Sequence, residues 1–206
     1  MEVTMKRKVL DQILTSGGGV LLLVLLFVGG LAAWGYSFAN STVHDQLAAQ
    51  QIFFPPKSAF AHAKVGTEIT PSMIPSVSQY AGQQLLNGAQ AKVWANDFIA
   101  VHLSEMPYGG VYAKASTAAM KLPKGSPAYA KAEGVVSTIF QGTTLRSMLL
   151  EAYGFWLFGQ IALWVSILAF LLAILMIVLV GLGFWHAQRT PETQAVKIVE
   201  RSRIAT

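Results

Sequence analysis

Two runs of apolar residues, Gly17 to Ala39 and Phe155 to Trp185, constrain this chain more than any other feature. The first has no charged side chain, and the second has only the amide of Gln160 and the hydroxyl of Ser166 as polar groups. A hydrocarbon core about 30 Å thick takes about 20 apolar residues in a helix, because a backbone in lipid must satisfy its own hydrogen bonds. Both runs meet that length. The expected fold class is an all-α membrane protein with two transmembrane helices, over 17–39 and 155–185, and an extracytoplasmic helical domain over 40–154 between them. Residues 1–16 and 186–206 are then short cytoplasmic segments. At about 1.5 Å per residue the second run would reach about 45 Å, so it is expected to project outward as a continuing helix.

The basic start Lys6, Arg7 and Lys8 and the triplet Ser37-Phe38-Ala39 also suit a cleaved signal peptide. The apolar stretch exceeds the roughly 7 to 15 residues of such peptides, so a retained span is expected. Orientation follows from the basic residues near the membrane ends. Lys6, Arg7 and Lys8 precede the first span, and Arg189, Lys197, Arg201 and Arg203 follow the second, whereas 41–56 has no Lys or Arg. Both termini are expected in the cytoplasm, in a multi-pass protein of the cell inner (plasma) membrane. Aromatic residues agree with that placement: Trp34, Tyr36 and Phe38 outside, Tyr153, Phe155, Trp156 and Phe158 beside them, Phe184 and Trp185 inside. Trp164 lies deeper, for lipid contact or helix packing.

With 53% hydrophobic and 12% charged residues, the chain has little charged surface, and a net charge of +5 is too diffuse for a nucleic-acid footprint. The expected partners are therefore other membrane protein subunits or copies of itself, and the lipid bilayer. With no cysteine, disulfides, thiolate metal sites and cysteine nucleophiles are all excluded.

The middle segment reads as short helices with strong punctuation and little or no sheet. Helices are predicted over 41–52, ending at Pro55-Pro56, and over 76–86, 89–106, 111–121 and 128–140, with an interruption at Gly142-Thr143-Thr144. Trp94, Phe98 and Val101 share one helix face that needs a packing partner. Gly17, Gly18 and Gly19 suggest a flexible hinge, and 190–206 a short surface helix or a tail.

Candidate sites are sparse. Small residues recur at Ala162, Ser166, Ala169 and Ala173, and at Gly29, Ala33 and Ser37, spacings that let helices pack closely against each other or another subunit. His44, His62 and His102 all fall in the middle segment, and His102 with Glu105 is spaced to share a helix face for a divalent ion or a quinone-like ligand. That pattern lacks the paired histidines of a metal helix, so a hydrogen-bonded core histidine is the expected role of His102. His186 suits a helix C-terminus. No phosphate loop, nucleophile elbow, carboxylate pair or redox motif is present, and no cofactor is predicted.

The segments VHDQLAAQQIFFPP, NDFIAVHLSE, GGVYAKAS and TLRSMLLEAYGF resemble, in order and spacing, a group of small actinobacterial two-span membrane proteins of unknown function. Some of these carry an aromatic-ring-opening dioxygenase label. That label implies His and carboxylate iron ligands in a soluble fold, which the residues here do not supply. The resemblance implies an actinobacterial inner membrane and no activity. The function expected is that of a non-catalytic accessory or assembly subunit of a larger membrane protein complex. The alternatives are a homo-oligomeric two-span channel or sensor, and a subunit of a metal-dependent membrane oxidase.

Overall fold

The computed structural model describes residues 3–191 and 195–198. The chain is predominantly helical, with two helices long and apolar enough to cross a membrane: α1, Arg7–Ala49, and α7, Pro127–Arg189. Between them lie α2 (Lys57–Phe60), α3 (Ile74–Val77), α4 (Gly88–Val93), a π-helical stretch (Trp94–Ile99), α5 (Ala100–Glu105) and α6 (Tyr112–Met120). The described residues divide into two compact units, one of 1–35 with 161–206 and the other of 36–160.

In the first unit α1 and α7 pair as antiparallel helices. Gly17, Gly18 and Gly19 do not form a hinge, since the helix runs through them. Gly18 instead admits a close neighbour: a Cβ there would lie 3.0 Å from Val180 and 3.2 Å from Met176. A second departure from an all-α expectation lies at the ends. Val3–Lys6 (β1) pairs antiparallel with Ala195–Ile198 (β2), with Val3 opposite Ile198 and Met5 opposite Val196. Residues 195–198, expected within a short surface helix or a tail, thus form a strand. The remaining tail residues named above, Arg201, Arg203 and Thr206 among them, lie outside the described residues.

The second unit takes in α1 from Tyr36 onward, α7 as far as Gln160, and the segment between the two helices. Helix α1 stops at Ala49, short of Ile52, because the following chain turns at Gln51 (φ 52) and pairs with 83–85. Phe54 N–H donates to Gln83 O at 2.8 Å and Leu85 N–H to Ile52 O at 2.9 Å. The Gln84 amide donates to Ala48 O and so satisfies a carbonyl at the helix end. The helix predicted over 76–86 is consequently absent. Short helical turns fill 71–80, Gly82 takes φ +72, and residues 83–85 are extended against 52–54.

Asn87 starts α4 through a capping box. Its side chain accepts from Gln90 N–H at 3.0 Å, while the buried Gln90 carbonyl accepts from Asn87 N–H at 3.2 Å and Leu86 N–H at 2.7 Å. Met106, extended at ψ 160 before Pro107, ends α5, and Tyr108 and Gly109 follow at positive φ. Ser126 caps α7 by accepting from Tyr129 N–H at 3.1 Å, with Pro127 in the first turn where its missing N–H costs nothing. From there α7 is unbroken through Gly142, Thr143 and Thr144, against the interruption predicted there. Gly142 is where Leu103 packs, since a Cβ would come within 2.9 Å of its methyl. The core joins Val43 and Leu47 of α1, Leu149 of α7, and Phe54, Met73, Val77, Leu85 and Ile99 from the connecting segment.

Candidate functional site

Three features of the structure bear on function: the seam of the first unit, and the aromatic core and an open groove of the second. The seam follows a 3.5-residue repeat. On α7 the inward residues are Ala162, Ser166, Ala169, Ala173, Met176, Val180, Gly183 and Ala187, and on α1 they are Thr15, Gly18, Leu22, Leu25, Gly29 and Ala32. Alternating steps of three and four keep one stripe of each helix facing the other in a left-handed pair. Small side chains bring the backbones together. Ser166 Oγ donates to Gly29 O at 2.9 Å, and both residues are buried. A Cβ on Gly29 would press on the Phe170 ring at 3.1 Å, and one on Gly183 would meet Thr15 Oγ1 at 2.6 Å.

Of the seam residues predicted, Ala169 and Ala173 are buried, Ala162 is half-buried beside Gly35, and Ala33 is half-buried. Ser37 lies elsewhere. It is exposed, and its carbonyl accepts from Ser41 Oγ at 2.9 Å. The four-and-four spacing from Gly29 walks off the stripe, whereas the 3.5-residue spacing leads to Gly18 and Thr15, which the predicted set omits. At one end of the pair, Asp11 Oδ2 accepts from Thr190 Oγ1 at 3.2 Å and lies 3.8 Å from His186 Nε2. His186 therefore faces a carboxylate as well as a helix terminus, and Arg189 stacks on Trp185 at 4.1 Å.

Around this pair the surface is apolar on nearly every side. Val20, Leu23, Phe27, Leu31, Leu168, Leu171 and Leu175 are all exposed. Trp34 and Trp164, both exposed, lie toward one end, and Phe184 and Trp185 at the other.

In the second unit Trp94 stacks on Phe98 with ring centroids 4.2 Å apart, Phe54 meets Trp94 edge-on at 5.0 Å, and Tyr80 continues the row at 5.1 Å. Val101 packs on the same core. His102 ends the row 4.6 Å from Phe98, with Nδ1 2.9 Å from Phe98 O. The carbonyl can only accept, so Nδ1 carries the proton. His44 is exposed with Nδ1 3.2 Å from Asp45 Oδ1, while His62 and Glu105 are exposed elsewhere. Among the described residues no three His, Asp or Glu side chains converge where a metal ion would sit. Arg146 reaches across from α7 to donate to Asn96 Oδ1 at 2.8 Å, and its Nε is buried without a hydrogen-bond partner.

The groove lies between α1 and α7, with a volume of about 910 Å³. Val43, Leu47 and Leu149 form its floor, Phe155 and Phe158 one end, and Gln46, Gln50 and Glu151 its rim. Glu151 is its sole ionisable residue. Sequence spacing does not reveal it, because a groove depends on how far two distant segments stand apart. No protein-family model, curated protein or solved structure matches the chain.

Proposed function

We propose that this protein is a non-catalytic accessory or assembly subunit of a larger complex in the cell inner membrane, with both termini cytoplasmic and 40–154 outside. The observation that carries this reading is the apolar surface around a closed seam. Only 11% and 17% of the most hydrophobic windows of the two helices are buried within the chain. Such surface requires lipid or other membrane helices around it. The seam hydroxyls are already hydrogen-bonded, Ser166 to Gly29 O and Thr15 to Asp11 O of its own helix, so among the described residues they offer little to line a water-filled pore.

The aromatic residues supply a frame for the crossing. From Trp164 to Trp185 α7 rises about 31 Å, and from Thr15 to Trp34 α1 rises about 28 Å. Both lengths match a hydrocarbon core of about 30 Å. Within the spans 17–39 and 155–185, Trp34 and Trp164 lie toward the outer side, and Trp185, stacked with Arg189, lies at the inner end.

Purification of the intact protein from its native membrane in mild detergent, with mass spectrometry of what accompanies it, tests the reading. Distinct membrane proteins in fixed ratio are expected. Copies of this chain alone would refute it.

A further inference from the structure

We infer that the cytoplasmic end of the α1–α7 pair is a docking surface for anionic phospholipid, whose headgroup phosphates are taken by Lys6, Arg7, Lys8 and Arg189. This inference rests on the two spans of the reading above and not on its accessory role. The four residues belong to one compact unit. Within it Gly183 packs on Thr15, where a Cβ would come within 2.6 Å of Oγ1, so the two residues share one depth in the antiparallel pair. Trp185 follows Gly183 by two residues and Lys8 precedes Thr15 by seven, so Lys8 stands about 7 Å beyond Trp185. Arg189 stands about 6 Å beyond it, and Arg7 about 9 Å. With Trp185 at the inner end of its span, these depths fall in and just past the headgroup layer, which is about 5 to 8 Å thick. Long cationic side chains rooted there reach lipid phosphate.

Arg189 is set for phosphate. Its guanidinium carbon lies 4.1 Å from the centroid of the Trp185 ring, so the indole supports the face of the group. The N–H donors lie in plane around its edge, where a phosphate accepts two of them at once. Lys6 and Arg7 are exposed at the junction of β1 and α1. The β1–β2 register adds the other terminus, since it sets Lys197 opposite Thr4, two residues from Lys6. Little offsets this charge. Asp11, the one acid among the described residues of this end, has a side chain only 18% exposed, and its Oδ2 accepts from Thr190 Oγ1. Over 1–16 and 186–206 the sequence carries seven Lys and Arg against four Asp and Glu. A basic cluster immediately cytoplasmic of a span is complementary to an anionic leaflet.

The test uses the full chain in phosphatidylcholine nanodiscs doped with spin-labelled lipid, either phosphatidylglycerol or phosphatidylcholine, and reads by electron spin resonance how much label the protein holds. Phosphatidylglycerol should be favoured about threefold or more at low salt, and high salt should erase the preference. Lys6→Gln, Arg7→Gln and Arg189→Gln together should abolish it while leaving thermal unfolding unchanged, since all three positions are exposed. If the triple variant does not fold, Arg7→Gln and Arg189→Gln decide singly, each lowering the preference. Lys57→Gln, an exposed position in the middle segment, should leave it intact. Inorganic phosphate at the concentration of the labelled lipid should not displace the label. Equal retention of the two lipids, a preference that survives these Arg variants, one that Lys57→Gln removes, or displacement by inorganic phosphate would overturn the inference. If distinct subunits still co-purify in fixed ratio with such a result, the accessory reading stands and the lipid surface alone is lost. A chain that does not enter the bilayer removes both.

Discussion

Ser166 and Gly29 are joined by a buried hydrogen bond of 2.9 Å, hydroxyl to backbone carbonyl, between helices whose sequence positions are 137 apart. The bond works because both residues are small. Gly29 brings its carbonyl within reach, and Ser166 fills the space with a donor that would otherwise need a partner of its own.

Ser166→Ala should therefore be mild and a bulky seam substitution severe. Loss of one interhelical hydrogen bond in lipid costs about 0.6 kcal/mol. Ala169→Phe puts a ring into a position that is 5% exposed, and Ala162→Phe does the same beside Gly35. Both should force the helices apart. Disulfide crosslinking between cysteines placed at Gly18 and Val180, in a chain that has none, reads the separation. Efficient crosslinking in Ser166→Ala and loss in Ala169→Phe are expected.

In the second unit, Gly88 is the tightest test of packing. A methyl there would lie 2.5 Å from Trp156 Cβ and 2.6 Å from its Cγ, too close without moving α4 off α7. Gly88→Ala should cost about 1 to 3 kcal/mol and red-shift Trp emission. Gly134→Ala, inside α7 with nothing within 4 Å, should stabilise by up to about 1 kcal/mol. Thermal unfolding of the two variants, side by side, checks both signs.

Arg146 and Asn96 make an asymmetric pair. Asn96→Leu would leave a partly buried guanidinium without the Asn96 Oδ1 acceptor, at a cost of about 1 to 3 kcal/mol. Arg146→Met removes the charge together with the orphaned Nε and should cost less than about 1.5 kcal/mol. A double-mutant cycle by denaturant unfolding measures the coupling, and equal costs for the two single variants would contradict it.

Much of this is legible in the residues, for reasons that differ by element. The two long helices follow from apolar runs free of proline, and the stack of Trp94 on Phe98 from their four-residue spacing. The start of the helix expected from 89 is found at Asn87, whose side chain replaces a missing backbone partner. Ser37 is misleading, because a four-residue spacing and a 3.5-residue spacing agree over one turn and diverge over two. The pairing of Phe53 with Gln84 is hidden, since a single bridge across distant residues leaves no alternating pattern. Gly142 reads as a helix breaker, yet Leu103 occupies the space it leaves, and tertiary packing outweighs its propensity.

The side of the membrane that the middle segment occupies decides the topology. Lys121 is exposed just after α6, and a chain without cysteine allows one reporter thiol at a time. A membrane-impermeant maleimide applied to intact cells should label Lys121→Cys at once and label Gln12→Cys only after lysis. Labelling of Lys121→Cys only in lysed cells would contradict the topology and the function built on it.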